Sequence, residues 1–89
     1  MHVRRIFVDG IPLGTTLMRK RKESGLSLED LSRKTRIRIE FLHNIEKGHN
    51  DRLPCLPYNR GFIRAYASEV GVDPNFAAER FNFEMGIEN

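Results

Sequence analysis

An all-α fold, a single five-helix domain, is predicted for this 89-residue chain by three observations. Apolar residues recur at helical spacing along most of its length, glycine and proline punctuate the periodic stretches, and no pair of alternating segments offers two strands to one another. With 39% hydrophobic residues, a chain of this size buries only about two-thirds of its unfolded surface, so one small core is expected.

Residues 1–11, MHVRRIFVDGI, contain an Ile6-Phe7-Val8 patch but no partner strand, and read as an N-terminal arm. Pro12 precedes a helix from about Leu13 to Ser24, with Leu13 and Leu17 inward, Arg19, Lys22 and Glu23 outward, and Gly25 as its stop. The stretch from Ser27 to Gly48 then forms two short amphipathic helices around a tight turn at Arg36 to Arg38, a helix-turn-helix unit. Leu28, Leu31, Ser32 and Thr35 share one face, and Ile39, Leu42 and Ile45 the other. Ser27 with Asp30 three residues on makes a capping box, and Gly48 is a left-handed stop.

The prolines of HNDRLPCLP, residues 49–57, make a loop that Leu53 and Leu56 pin to the core, with Cys55 as a small buried residue beside them. Pro57 opens a fourth helix that runs to about Val70 and stops at Gly71. Asp73 caps a fifth, Pro74 occupies its first position, and Phe76, Ala77, Arg80, Phe81 and Phe83 give it a broad apolar side. The domain spans residues 12–85, and 86–89 form a patternless tail.

A lone cysteine allows no internal disulfide, and with no CxxC or CxxH neighbour it suggests no zinc; the reducing cytoplasm suits it. His43 and His49 match no ligand spacing with Cys55, so no metal and no cofactor are expected. No run approaches the ~18 apolar residues of a membrane span, and the start lacks a signal-peptide core. No nucleophile-base pair or phosphate-cradling loop points to an enzyme. The net charge of +3 is unevenly spread: residues 1–38 hold ten basic and four acidic residues, residues 39–89 five and eight. Such a basic half suits nucleic acid, anionic lipid or an acidic protein, with Arg4, Arg5, Arg19, Lys20 and Lys22 as the lipid-facing candidates.

The segment LGTTLMRKRKESGLSLEDLSRKTRIRIEFLHNIEKG resembles the repressor-type helix-turn-helix family of the phage Cro and cI proteins. Its continuation, LPYNRGFIRAYASEVGVDP, is similar to the cytoplasmic domain of the RodZ family of bacterial cell-shape proteins. The resemblance covers residues 12–83. It implies a repressor-like core, no enzyme activity, the actin-like protein MreB as partner, and a basic linker and membrane helix following a domain at the cytoplasmic face of the inner membrane. It also implies an ion pair between Arg21 and Glu46. Two positions depart from the repressor pattern: Arg36 stands for the usual turn glycine and Ser32 for a small alanine.

Placing Ile39, Phe41, Leu42 and Ile45 inward leaves Glu40, His43, Asn44 and Lys47 outward, with Arg38 at the entry of the third helix. A DNA-reading role would fall to Arg36, Arg38, Asn44 and Lys47, while Glu40 would repel phosphates. The preferred function is therefore a protein adaptor, with weak DNA binding as a second activity and a DNA-binding regulator as the alternative. On the fourth helix Ile63, Tyr66, Ala67 and Val70 suffice for the core. Tyr58 and Phe62 share a direction with Glu69 and are flanked by Arg60 and Arg64, so these five residues form the candidate partner surface. In the RodZ family the corresponding aromatic positions face MreB. The competing reading has both rings roofing the fifth helix through Phe76 or Phe81.

Overall fold

Five α-helices follow one another in the computed structural model, which describes residues 10–55 and 57–86: α1 (Leu13–Glu23), α2 (Leu28–Thr35), α3 (Ile39–Lys47), α4 (Tyr58–Glu69) and α5 (Pro74–Met85). A single 3₁₀ turn, Asn50–Arg52, follows α3, and no strand occurs among the described residues. The expectations for residues 1–9, for Leu56 and for residues 87–89 lie outside the described residues.

The start of α2 is set by local chemistry. Ser27 Oγ accepts from Asp30 N–H at 3.0 Å and the Asp30 carboxylate accepts from Ser27 N–H at 3.1 Å, which satisfies two otherwise unpaired donors. The backbone hydrogen bond from Ser27 holds the Asp30 carboxyl below its ordinary pKa. Helix α1 has no such local cap, because Pro12 offers no side-chain acceptor. Its first N–H, from Leu13, donates instead across the fold to Glu84 of α5 at 2.7 Å, with Arg80 Nε holding the same Glu84 oxygen at 3.0 Å. A carboxylate at a helix N-terminus is electrostatically favoured there, so this bond ties the last turn of the domain to its first.

Arg36 closes α2 in the left-handed conformation (φ 64°, ψ 23°) and is the one described non-glycine residue with positive φ. Two hydroxyls brace the turn around it. Ser32 Oγ donates to Ile37 O at 2.6 Å, while Thr35 Oγ1 accepts from Ile37 N–H at 3.2 Å. Ile37 itself is buried in the core. Ser32 and Thr35 together thus hold a turn made without glycine.

The core is formed by Leu13 and Leu17 of α1, Leu31 of α2, Leu42 and Ile45 of α3, Ile63, Tyr66 and Ala67 of α4, and Ala77 and Phe81 of α5, with Ile37, Val70 and Val72 from the turns. Helix α1 lies on α3, and α4 lies chiefly on α5. The α1/α3 approach is close enough to require a glycine: a Cβ on Gly14 would press into the carbonyl oxygens of Ile45 and Glu46, the latter at 2.7 Å.

Three expectations are corrected by the packing. Ile39, placed inward by helical spacing, is 37% exposed, because the turn delivers Ile37 into the core instead. Phe83 is 72% exposed: α5 buries Ala77, Ala78, Phe81 and Asn82, and Phe83 falls opposite them under the Arg80 guanidinium, 5.3 Å from the ring centroid. Cys55 is exposed, while Leu53 alone of the described loop apolar residues rests on the core.

Two stability predictions follow from these backbone constraints. Gly14→Ala must push α1 off α3 and is expected to cost about 2 kcal/mol or more in urea unfolding, in the upper range of overpacking substitutions. Arg36→Gly relieves left-handed strain of about 1–2 kcal/mol and adds unfolded-state entropy worth about 0.4–1, so the midpoint should rise by the equivalent of roughly 0.5–1 kcal/mol.

Candidate functional site

Helices α1, α3 and α4 meet at one carboxylate. Arg21 Nε donates to Glu46 Oε2 at 2.6 Å and Nη2 to Oε1 at 3.3 Å, a two-pronged pair whose side chains are 10% and 5% exposed. Arg21 Nη1 also donates to Leu26 O at 2.8 Å, and the Tyr66 hydroxyl donates to Glu46 Oε2. The hydrogen bond to Glu46 raises the Arg21 pKa, and burial, followed by the bond to Glu46, raises that of Tyr66. Both donors therefore stay protonated. The Tyr66 bond has no counterpart in the helical-wheel reading, which used Tyr66 only as core. A phenol completely hidden from solvent needs a partner, and that requirement was the available signal.

That clamp fixes the side of α4 that faces outward. Tyr58 is 65% exposed at its first turn, Arg64 and Glu69 are exposed, and Arg60 is half-buried. Phe62 is half-buried rather than fully outward. Its ring lies 5.6 Å from that of Phe41 on α3, tilted by 34°. Neither half of the sequence reading describes Phe62 fully: it is not a free surface ring, and the ring it meets is on α3 rather than α5. Phe41, assigned inward, is the residue that sequence reasoning did not connect to this surface.

On α3 and its approach, Arg36, Arg38, Glu40, His43 and Lys47 are exposed, while Asn44 is half-buried. Glu40 sits in the first helical turn, where a groove-inserted helix would bring it to phosphates. Arg19, Lys20 and Lys22 are exposed on α1, with Lys20 3.6 Å from Glu23; Arg4 and Arg5 lie outside the described residues. An open groove of about 500 Å³ between α1, α3 and α5 is lined by Thr15, Lys47, Asn50 and Arg80. The carboxylates that reach it, Glu46 and Glu84, are the ones already bound by Arg21, Tyr66, Leu13 N–H and Arg80. Among the described residues no group of three or more His, Cys, Asp or Glu could hold a metal, and no helix is long and apolar enough to cross a membrane.

Comparison with known proteins places this geometry. A family profile described as a helix-turn-helix domain matches residues 16–76. The cytoskeleton protein RodZ of Streptococcus pneumoniae is 33% identical over 70 residues, 79% of this chain and 25% of that protein. The uncharacterised membrane protein YmfM of Bacillus subtilis is 42% identical over 48 residues, 54% of this chain and 17% of that protein. The chain thus spans a quarter or less of these curated relatives. A solved structure of YmfM from Staphylococcus aureus, put forward as a DNA-binding membrane protein, superposes with a TM-score of 0.76 at 36% identity, covering 83% of this chain and 90% of that one.

The shared carboxylate yields two measurable expectations. Arg21→Ala strands a buried Glu46 and should cost about 3 kcal/mol or more in chemical denaturation. Tyr66→Phe removes a hydrogen bond to a charged group and should cost about 1.5–3 kcal/mol. The sign of the pH dependence follows from the raised Tyr66 pKa. Above about pH 10 the unfolded chain releases the Tyr66 proton that the folded chain keeps, so stability falls with rising pH. The loss seen between pH 9 and 11 should therefore be smaller in Tyr66→Phe than in the wild type.

Proposed function

Because the chain belongs to the helix-turn-helix domain family, with a domain of RodZ type, we propose that it is the interaction module of a bacterial cell-shape protein. Its fourth helix docks on the actin-like cytoskeletal protein MreB. The module acts at the cytoplasmic face of the inner membrane, anchored through a segment outside this chain, and performs binding without catalysis or a cofactor.

The observation that carries this reading is the exposure of Tyr58, 65% in a domain whose other tyrosine is completely buried. Leaving a large ring in water at the first turn of a helix gives up the roughly 1.5–3 kcal/mol that burying a large apolar side chain contributes. A partner recovers it, and aromatic side chains with neighbouring arginines form the usual centre and edge of a protein interface. Arg60 and Arg64 supply that edge from the other flank of the helix, with Glu69 about three turns beyond Tyr58 and two beyond Phe62. The relative named a cytoskeleton protein supports the same direction.

A second reading, binding of duplex DNA, is favoured by the exposed cations Arg36, Arg38 and Lys47 around α3 and by the description given to the Staphylococcus protein. Against it, Glu40 stands at the start of α3, and Asn44, the one amide suited to reading a base, is half-buried. The proposed activity on DNA is weak, salt-sensitive and indifferent to sequence.

Cosedimentation with MreB filaments tests the reading. Tyr58→Ala should weaken binding by tenfold or more while the thermal midpoint stays within a few degrees of wild type. Tyr58→Ala combined with Phe62→Ala should abolish binding, with a moderate stability loss through the Phe41 contact. A folded double variant that still binds contradicts the proposal, as does submicromolar, sequence-selective duplex binding at physiological salt.

A further inference from the structure

We infer that the outward face of α5 is a docking site for the chain's own N-terminal segment, with the Ile6-Phe7-Val8 triplet laid along Phe76 and Phe83. The face, the path of the chain that leads to it and the sequence of residues 1–9, which lie outside the described residues, agree on this occupant. Helix α5 turns Ala77, Ala78, Phe81 and Asn82 to the core. At helical spacing Phe76, Glu79, Arg80 and Phe83 form one stripe on the other side. Along that stripe Phe76 is half-buried, and Phe83 is 72% exposed. Tyr58 takes no part in it, so the docking site is separate from the proposed function.

The chain reaches α1 along the last turns of α5. Leu13 N–H is held by Glu84, and Ile11 O accepts from Arg80 Nη2 at 3.4 Å, so two residues toward the N-terminus the backbone has moved one turn back along α5. The same Arg80 guanidinium lies 5.3 Å from the centroid of the Phe83 ring. Just before it, Gly10 is left-handed (φ 85°), a conformation that allows the chain to bend back toward the helix. The extended stretch from Ile11 to Phe7 spans at most about 14 Å, and α5 rises about 10 Å between Phe76 and Phe83. The triplet is therefore long enough to meet both rings. Its charges match as well, since Arg4 and Arg5 precede it and Glu79 stands between Phe76 and Phe83 on the helix. A tether this short holds the triplet at an effective concentration of order millimolar, well above that of a second copy in dilute solution, which selects the chain's own segment as the occupant.

The test is made on the full chain. Nuclear Overhauser contacts between residues 6–8 and the Phe83 ring are expected in uniformly labelled protein, and none between the labelled and unlabelled copies of a mixed sample. Phe83 faces away from the core, so Phe83→Ala leaves the core packing intact. Phe83→Ala and Phe7→Ala should each lower the thermal midpoint by about 4 °C or more, the scale on which one apolar contact registers in a domain this small. The double variant should fall no further than the lower of the two singles, as for two side chains that contact one another. Absence of the contact, or midpoint losses that simply add, overturns the inference. Contacts seen only between copies give the face to a second chain and overturn it too.

Discussion

Glu46 accepts from Arg21 on α1 and from Tyr66 on α4 while itself belonging to α3, so one carboxylate determines how three helices meet. Buried ion pairs recover little more than their desolvation, and their contribution is greatest where they exclude alternative arrangements. Here the planar guanidinium demands a two-pronged approach, and its third donor is spent on the Leu26 carbonyl in the loop between α1 and α2. Rotation of α4 about its axis would withdraw Tyr66 from Glu46. Because that rotation is fixed, Phe62, one turn before Tyr66 on the same side of α4, and Tyr58, one turn earlier still at the exposed end, are fixed as well. The core clamp and the exposed ring follow from one helix orientation.

Local chemistry made much of this architecture legible in the sequence. The Ser27/Asp30 cap, the glycine stop at Gly48 and the Asp73-Pro74 helix start are each decided within a few residues, and the helices begin and end within a residue or two of where those signals put them. The features that were not legible depend on residues far apart in the chain. Glu84 capping Leu13 spans 71 positions. Gly14 reads as an ordinary helical residue until α3 is laid against it. Ile37 lies within the turn at Arg36 to Arg38, outside both helical faces read from the sequence, and its burial is what displaces Ile39 outward. Phe83 shows the limit of apolar counting, since a helix in contact with two neighbours still leaves one flank to solvent.

The surface was half legible for the same reason. A helical wheel separates Tyr58 and Phe62 from the core set of α4, but it contains no information about α3, so it could not find Phe41 beneath Phe62. The charge count indicated a basic half, and the structure divides those cations into two groups. Arg21 and Arg33 are held by carboxylates, whereas Arg36 and Arg38 stand exposed around the turn into α3. A fold shared with DNA-binding proteins is thereby compatible with a protein-binding use, because function follows the side chains that the helices present.

Chemical-shift mapping tests the central claim most directly. Isotopically labelled domain titrated with unpolymerised MreB should show its largest perturbations along α4 at Tyr58 and Phe62, with the Phe83 flank of α5 and the Arg19–Lys22 stretch of α1 unmoved. Perturbations concentrated on α1 and α5, with Tyr58 and Phe62 silent, would contradict the account.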